Sequence, residues 1–91
     1  MKFKDYPRFS SLLKKIPVRD RQAWIDVILE KLGYKMIREA VLSNGQEKWI
    51  IKVYKDGKVL FDDITQKFSI KSAIEYSRTI ALNDYEFSAI S

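Results

Sequence analysis

Apolar residues in the first third of the chain recur with the period of a helix. In the segment DYPRFSSLLKKIP, four of them are spaced i, i+3, i+4 and i+7, and therefore lie on one helical face. These residues are Phe9, Leu12, Leu13 and Ile16. Pro17 ends the predicted helix, because the residue before a proline avoids helical backbone angles.

A second amphipathic helix is predicted in the segment DRQAWIDVILEKLG. Asp20 is a suitable amino-terminal cap, and Gly33 stands where a left-handed residue would end the helix. Trp24 widens the inner stripe, so we expect Trp24 to be largely buried, as we do Trp49 further along the chain. The inner stripe itself consists of Ile25, Ile28, Leu29 and Leu32.

The pattern then changes to that of β-strands. The segments YKMIREAVL, EKWIIKVYK and KVLFDDI are rich in β-branched and aromatic residues. Asn44-Gly45 and Asp56-Gly57 separate them, and such dipeptides favour two-residue turns in which both central residues have positive φ. The sequence therefore predicts a three-stranded antiparallel meander.

Two-residue turns at both sites fix which side chains share a face of the sheet. Met36 and Leu60 would both lie opposite Val53, and a shift of one residue would exchange the two faces. The predicted core face holds Met36, Ala40, Leu42, Trp49, Ile51, Val53, Leu60 and Ile64. The predicted second face is mixed and holds Ile37, Glu39, Val41, Lys48, Ile50, Lys52, Tyr54, Val59, Phe61 and Asp63.

A last helix is predicted in the segment FSIKSAIEYSRTIAL, with Ser69 as its cap or with Ser72 and Glu75 as an alternative capping-box start. Its inward stripe is Ile70, Ala73, Ile74, Ser77 and Ala81. The remaining segment, NDYEFSAIS, leaves open whether it docks on the domain or forms a loose end. We therefore expect one α+β domain over residues 1–91, with two amino-terminal helices, a three-stranded antiparallel meander and a carboxy-terminal helix, in the order α-α-β-β-β-α.

Residue types that are missing from the chain exclude several kinds of chemistry. There is no cysteine and no histidine, so disulfides, thiolate zinc sites and histidine general bases are excluded. Asp62 and Asp63 are neighbours in a predicted strand, so their side chains point to opposite faces and do not form a metal pair. We expect no catalytic site, no metal and no cofactor. The apolar runs are too short to span a membrane, and we expect a cytoplasmic protein.

The net charge of +5 is concentrated in the amino-terminal part of the chain. Residues 1–38 contain ten lysines and arginines against four acidic residues. Lys14, Lys15, Arg19 and Arg21 are the basic residues of this part that we expect to meet a partner. Such a surface suits nucleic acid or an acidic protein, although solubility alone is an equally good reason for this charge.

The mixed sheet face is a second candidate binding surface. Lys48, Lys52, Tyr54 and Phe61 combine ammonium groups that neutralise phosphates with rings that stack on bases. This combination is typical of sheets that bind DNA or RNA. The alternative is that one of the three predicted helices covers the face, with the lysine stems lying across it.

The middle of the chain resembles a known family. The segments WIIKVYKDGK, residues 49–58, and KFSIKSAIEY, residues 67–76, are similar to the amino-terminal arm-binding domain of phage-type integrases. The resemblance implies a three-stranded sheet that lies in the DNA major groove, with a helix packed behind it, and it implies that Lys48, Lys52 and Tyr54 face the DNA. This chain has VLFDDI where that family has a strand rich in arginine and lysine.

In size and composition the chain also resembles small phage-encoded anti-defence inhibitors, such as anti-CRISPR proteins, which act by occupying a surface. Two hypotheses about function follow. In the first, the protein binds DNA or RNA through the mixed sheet face and the basic amino-terminal helices. In the second, it blocks a host protein complex by covering part of its surface.

Overall fold

Two tight turns set the geometry of the sheet. In a computed structural model that describes residues 5–65 and 69–88, Asn44 and Gly45 have φ of 53° and 78°, and Asp56 and Gly57 have φ of 50° and 86°. Positive φ at both central residues is the type I′ geometry that the sequence predicts. The turns join the strands β1 (Tyr34–Ser43), β2 (Gln46–Lys55) and β3 (Lys58–Thr65) into an antiparallel sheet in the order β1-β2-β3.

Helices precede and follow this sheet. They are α1 (Pro7–Leu12), α2 (Arg21–Lys31), which begins after a short 3₁₀ turn, and α3 (Ile70–Ser88). The predicted α+β class and the order α-α-β-β-β-α are confirmed. Gly33 ends α2 with φ of 101°, and the Ser72 N–H donates to Ser69 Oγ at 3.2 Å, as expected of a capping serine.

The cap predicted at Asp20 is wrong. The 3₁₀ turn Val18–Asp20 leads directly into α2, and Asp20 itself has near-helical angles, with φ of −98° and ψ of −5°. A capping side chain needs an extended backbone at its own residue to reach the amides ahead of it. Asp20 accordingly makes no side-chain capping hydrogen bond.

All three helices lie on one side of the sheet, and the core is between the two layers. Trp49 is 8% exposed, so its predicted burial is confirmed, whereas Trp24 is 43% exposed and that expectation is wrong. On α2 the residues that face the core are Ile25 and Leu29. Trp24 precedes Ile25 by one residue, so its side chain is rotated by about 100° around the helix from that of Ile25. The buried hydrophobic residues are Phe9, Leu13, Ile25, Leu29, Tyr34, Trp49, Ile51, Val53, Ala73, Ala81 and Leu82.

The helix layer does not reach the tip of the first hairpin. Leu42, predicted to lie in the core, is on the helix side of β1 but is 81% exposed. Ala40, predicted for the same face, and Ile70 at the start of α3 are also exposed. Alternation along the strand placed Leu42 and Ala40 on the correct side of the sheet, but no described helix extends far enough to bury them.

A β-bulge changes which residues of β3 face the helices. The register of β1 with β2 is as predicted, with Met36 opposite Val53. Along β3 the register shifts between Val53 and Tyr54, so that Phe61 rather than Leu60 lies opposite Val53. One extra residue in a strand exchanges the faces of everything beyond it.

The prediction that Phe61 lies on the mixed face is therefore wrong, because the bulge places Phe61 on the helix side of the sheet. Its ring packs edge-on against Tyr76 of α3, with the ring centroids 5.3 Å apart. Asp63 moves to the helix side with it, whereas Asp62 and Ile64 move to the other side, and Ile64 is 54% exposed instead of buried. Leu60, at the bulge, still contacts the core.

The end of α3 is a docked extension as far as Ser88. The backbone N–H of Phe9 donates to Glu86 Oε1 at 2.9 Å, and the Tyr34 hydroxyl donates to Asp84 Oδ2 at 2.7 Å. The Phe9 and Tyr85 rings meet edge to face, 6.1 Å apart. The acidic tail residues thus hold α1 and β1 against α3. The last residues of the predicted tail, 89–91, lie outside the described residues.

Candidate nucleic-acid interface

The side of the sheet opposite the helices is covered by no helix among residues 5–65 and 69–88. Of the two alternatives left open by the sequence, covering by a helix is therefore not found in the described part of the chain. We call this side the open face. Strand pairing places on it Lys35, Ile37, Glu39, Val41, Lys48, Ile50, Lys52, Tyr54, Val59, Asp62 and Ile64, none of which is buried.

The central strand carries a line of residues suited to a polyanion. Lys48, Ile50, Lys52 and Tyr54 follow one another on the open face of β2, about 7 Å apart because every second residue of a strand points the same way. Lys35 on β1 lies directly opposite Tyr54. Three ammonium groups and one phenol ring therefore share one uncovered surface.

Acidic residues flank this line on the neighbouring strands. Asp62 of β3 lies opposite Lys52, and Glu39 of β1 lies opposite Ile50. Within the part of the chain that the structure describes, the salt bridges all lie elsewhere, at Asp26 and Lys55. The open face is consequently positive along its centre and negative at a point on each side.

The predicted basic residues of the amino-terminal helices are on another surface. Lys14 and Lys15 follow α1, and Arg19 lies in the 3₁₀ turn, and all three side chains are exposed. Arg21 begins α2 and donates from Nε to the Ile16 carbonyl at 3.0 Å. Because α1 and α2 lie behind the sheet, these four residues do not join Lys48, Lys52 and Tyr54 in one site.

One partly buried cluster was missed by the sequence prediction. Arg38 lies on the helix side of β1, and its Nη1 is 3.1 Å from Asp26 Oδ2 of α2, while Arg78 Nε of α3 is 2.8 Å from Asp26 Oδ1. Arg38 Nε also donates to Ser77 Oγ at 2.5 Å. The signal was present, because Arg38 stands between Met36 and Ala40, both predicted for the core face, and alternation along a strand places it on the same side.

The ionisation of this cluster is set by its two arginines. Burial of Asp26 raises the pKa of its carboxyl, but the hydrogen bonds from Arg78 and Arg38 and their positive charges outweigh burial, so the pKa is lower than usual. Tyr34 is affected in the opposite way, because burial and the hydrogen bond to Asp84 raise the pKa of its hydroxyl. Both groups are held in their ordinary ionisation states at neutral pH, which suits structural roles.

Neither metal ligands nor a membrane helix is found in the described residues. No group of three acidic side chains comes close enough together there to hold a metal ion, and Asp62 and Asp63 point to opposite sides of the sheet. None of the helices described combines the length and the apolar character needed to cross a membrane.

Comparison with known proteins gives no relative, since no family model, no curated protein and no solved structure matches this chain.

Proposed function

We propose that this protein binds nucleic acid through the open face, in the cytoplasm and without catalysing a reaction. The observation that carries the proposal is the uncovered line of Lys48, Lys52 and Tyr54 on β2, with Lys35 beside it. Lysine ammonium groups neutralise phosphates and release their counterions, which supplies affinity without sequence readout. The ring of Tyr54 adds a flat surface for a base or a sugar.

The charge distribution also indicates how a bound nucleic-acid strand would be oriented on the sheet. Phosphates that followed β2 would meet lysines, whereas phosphates displaced to either side would meet Glu39 or Asp62. The strand of nucleic acid is therefore expected to run along β2 rather than across the sheet. The resemblance to integrase arm-binding domains supports the same surface, since it implies that the sheet faces DNA and that the helix lies behind.

A second candidate function is the blocking of a host protein complex. It is favoured by the apolar residues of the open face, of which Val59 and Ile64 are exposed and Ile37 and Ile50 are half-buried. Contiguous apolar residues on an uncovered surface are typical of protein interfaces. In that function the lysines would pair with acidic residues of the host complex. An inhibitor that imitated nucleic acid would instead present acidic residues to a basic surface.

Titration of labelled oligonucleotides separates these two functions. Fluorescence anisotropy should show binding that weakens between about 50 mM and about 200 mM salt, about 40-fold for a duplex probe and about 20-fold for a single-stranded probe, if about three phosphates are neutralised. Lys52→Glu combined with Tyr54→Ala should weaken binding by more than roughly tenfold while the circular dichroism spectrum is unchanged.

The matched control is Lys14→Glu, which makes the same change of charge on the helical surface and should change the affinity by less than about threefold. An equal loss in the Lys14 variant would contradict the assignment to the open face. Absence of micromolar binding to either probe at low salt would reject nucleic-acid binding and leave the inhibitor function.

A further inference from the structure

The two edges of the sheet differ. β3 is interrupted by its bulge and carries Asp62 and Asp63, which are features that protect a strand edge from pairing with another chain. β1 pairs with β2 over all ten of its residues without a bulge, and it contains no proline. The β1 edge is therefore regular and unbroken along its length, although it too carries charged residues, Lys35, Arg38 and Glu39.

The backbone groups along this edge can be assigned from the first hairpin. Ser43 and Gln46 flank a two-residue turn, so they form a hydrogen-bonded pair, and such pairs alternate along an antiparallel ladder. The backbone N–H and C=O of every second residue therefore point away from β2. These residues are Tyr34, Met36, Arg38, Ala40 and Leu42. Within the described residues no hydrogen bond reaches these outward groups.

A groove of about 560 Å³ lies beside the edge. Its walls are Asp26 and Glu30 of α2 on one side and residues 33–36 with Arg38 on the other. The span from Tyr34 to Arg38 is about 13 Å, which is the length of a short strand. α2 thus overlooks the position that a fourth strand of the sheet would occupy.

We propose that this groove takes an extended segment of a partner protein, which pairs with β1 as a fourth strand. Backbone hydrogen bonds from Met36 and Arg38 would supply affinity, and side chains that alternate between the two sides of the segment would supply specificity. The proposal concerns the edge of the sheet, which shares only Lys35 with the open-face site, and it does not depend on nucleic-acid binding.

The charged residues of the groove indicate which side chains the partner segment should carry. Glu30 belongs to α2 on the helix side, Lys35 points to the open face, and neither forms a salt bridge within the described residues. The segment should therefore carry a basic residue toward Glu30, an acidic residue beside Lys35 and a small apolar residue against Met36. Basic and acidic residues are on opposite sides of the segment, so they stand at positions of opposite parity.

A second copy of this chain fits the groove less well than a peptide. A two-fold axis at the β1 edge would place the two helix layers on the same side of the joined sheet. The α2 helices would then meet over the groove that each of them already borders. A single added strand needs only the usual spacing of about 4.8 Å from β1.

The probe for this proposal is the blocked synthetic peptide TVEVTRT, whose valines and arginine face the helices and whose glutamate faces the open side. Its matched control has the same side chains but carries N-methyl groups on the amides that face β1. Two-dimensional NMR should show shifts at Tyr34–Ala40 with the first peptide and none with the second. Equal shifts from both peptides, or none at about 1 mM, would overturn the proposal.

Two variants test the backbone and the charge separately. Ala40→Pro removes an outward N–H but no bond to β2, and it should weaken peptide binding about tenfold, whereas Val59→Pro, at an outward position of β3, should not. Glu30→Lys should weaken binding of the same peptide, and replacing the peptide's arginine by glutamate should restore it. Unchanged affinity in the Glu30 variant would reject the stated chemistry even if the proline variant did not fold.

Ala40→Pro and Glu30→Lys should not alter the oligonucleotide affinity, because Ala40 and Glu30 lie outside the line of lysines on β2. Conversely, Lys48→Glu, at the other end of β2 from the residues that neighbour Lys35, should weaken oligonucleotide binding and leave peptide binding unchanged. The two surfaces can therefore fail or succeed independently.

Discussion

Asp26 is the residue on which three elements of the fold converge. Its two oxygens accept hydrogen bonds from Arg38 of β1 and Arg78 of α3, while its own backbone belongs to α2. Both arginine side chains are 17% exposed, so the pairs are partly withdrawn from water. Removing one partner of such a cluster leaves the remaining charges poorly solvated, which costs more than the pair itself contributes.

We predict that Asp26→Asn lowers the free energy of unfolding by about 2 kcal/mol at pH 7, since it leaves two guanidinium groups without a counter-charge. The pKa of Asp26 is lower in the folded state than in the unfolded state. Its stabilisation is therefore complete above the unfolded pKa and is lost as the pH falls through the folded pKa.

Urea unfolding should accordingly show a difference between wild type and Asp26→Asn that is large at pH 7 and shrinks below about pH 4. Asp62→Asn is the control, because Asp62 is on the open face and forms no salt bridge with any residue that the structure describes, and it should change stability by less than about 0.5 kcal/mol. A difference that stayed constant down to about pH 3 would contradict the role of the Asp26 charge.

At the scale of elements, local chemistry predicts some features and packing decides others. Asn44-Gly45 and Asp56-Gly57 determine the turns by backbone preference alone, so the strands and the β1–β2 register could be predicted. The bulge in β3 could not, because it brings Phe61 against Tyr76 of α3, a contact between segments that are distant in sequence. Of the four residues predicted for the mixed face as a binding surface, Lys48, Lys52 and Tyr54 therefore lie on the open face, and Phe61 lies on the helix side.

Amide hydrogen exchange of the free protein tests the geometry of β1. Ile37, Glu39 and Val41 should exchange slowly because their N–H groups bond to β2, whereas Met36, Arg38 and Ala40 should exchange faster by at least about tenfold. Two-dimensional NMR after transfer to deuterium oxide measures both sets in one experiment. Slow exchange at Met36 and Arg38 would mean that the edge is already paired or covered.

The whole molecule is a two-layer structure in which each layer presents a different surface. The helix layer carries Lys14, Lys15, Arg19 and Arg21, and the sheet layer carries the open face, so the predicted composite site is divided by the thickness of the domain. Sequence reasoning singled out these basic residues but had no means of telling which layer each would join. That information lies in the packing of α1 and α2 behind the sheet.

The hydrogen bond from the Phe9 backbone N–H to Glu86 Oε1, 2.9 Å long, has a consequence for chain connectivity, because it holds the first helix next to the last. A circular permutant, with a linker that joins residue 88 to residue 5 and new ends at Asn44-Gly45, should retain the native fold, since exposed turns tolerate such cuts. A permutant opened at Asp56-Gly57 should be less stable, because the Asp56 N–H donates to the Gly33 carbonyl at 3.0 Å and ties that turn to the end of α2. Thermal melting of the two permutants gives the order of their stabilities, and the reverse order would show that the second turn, not the first, is the more dispensable connection.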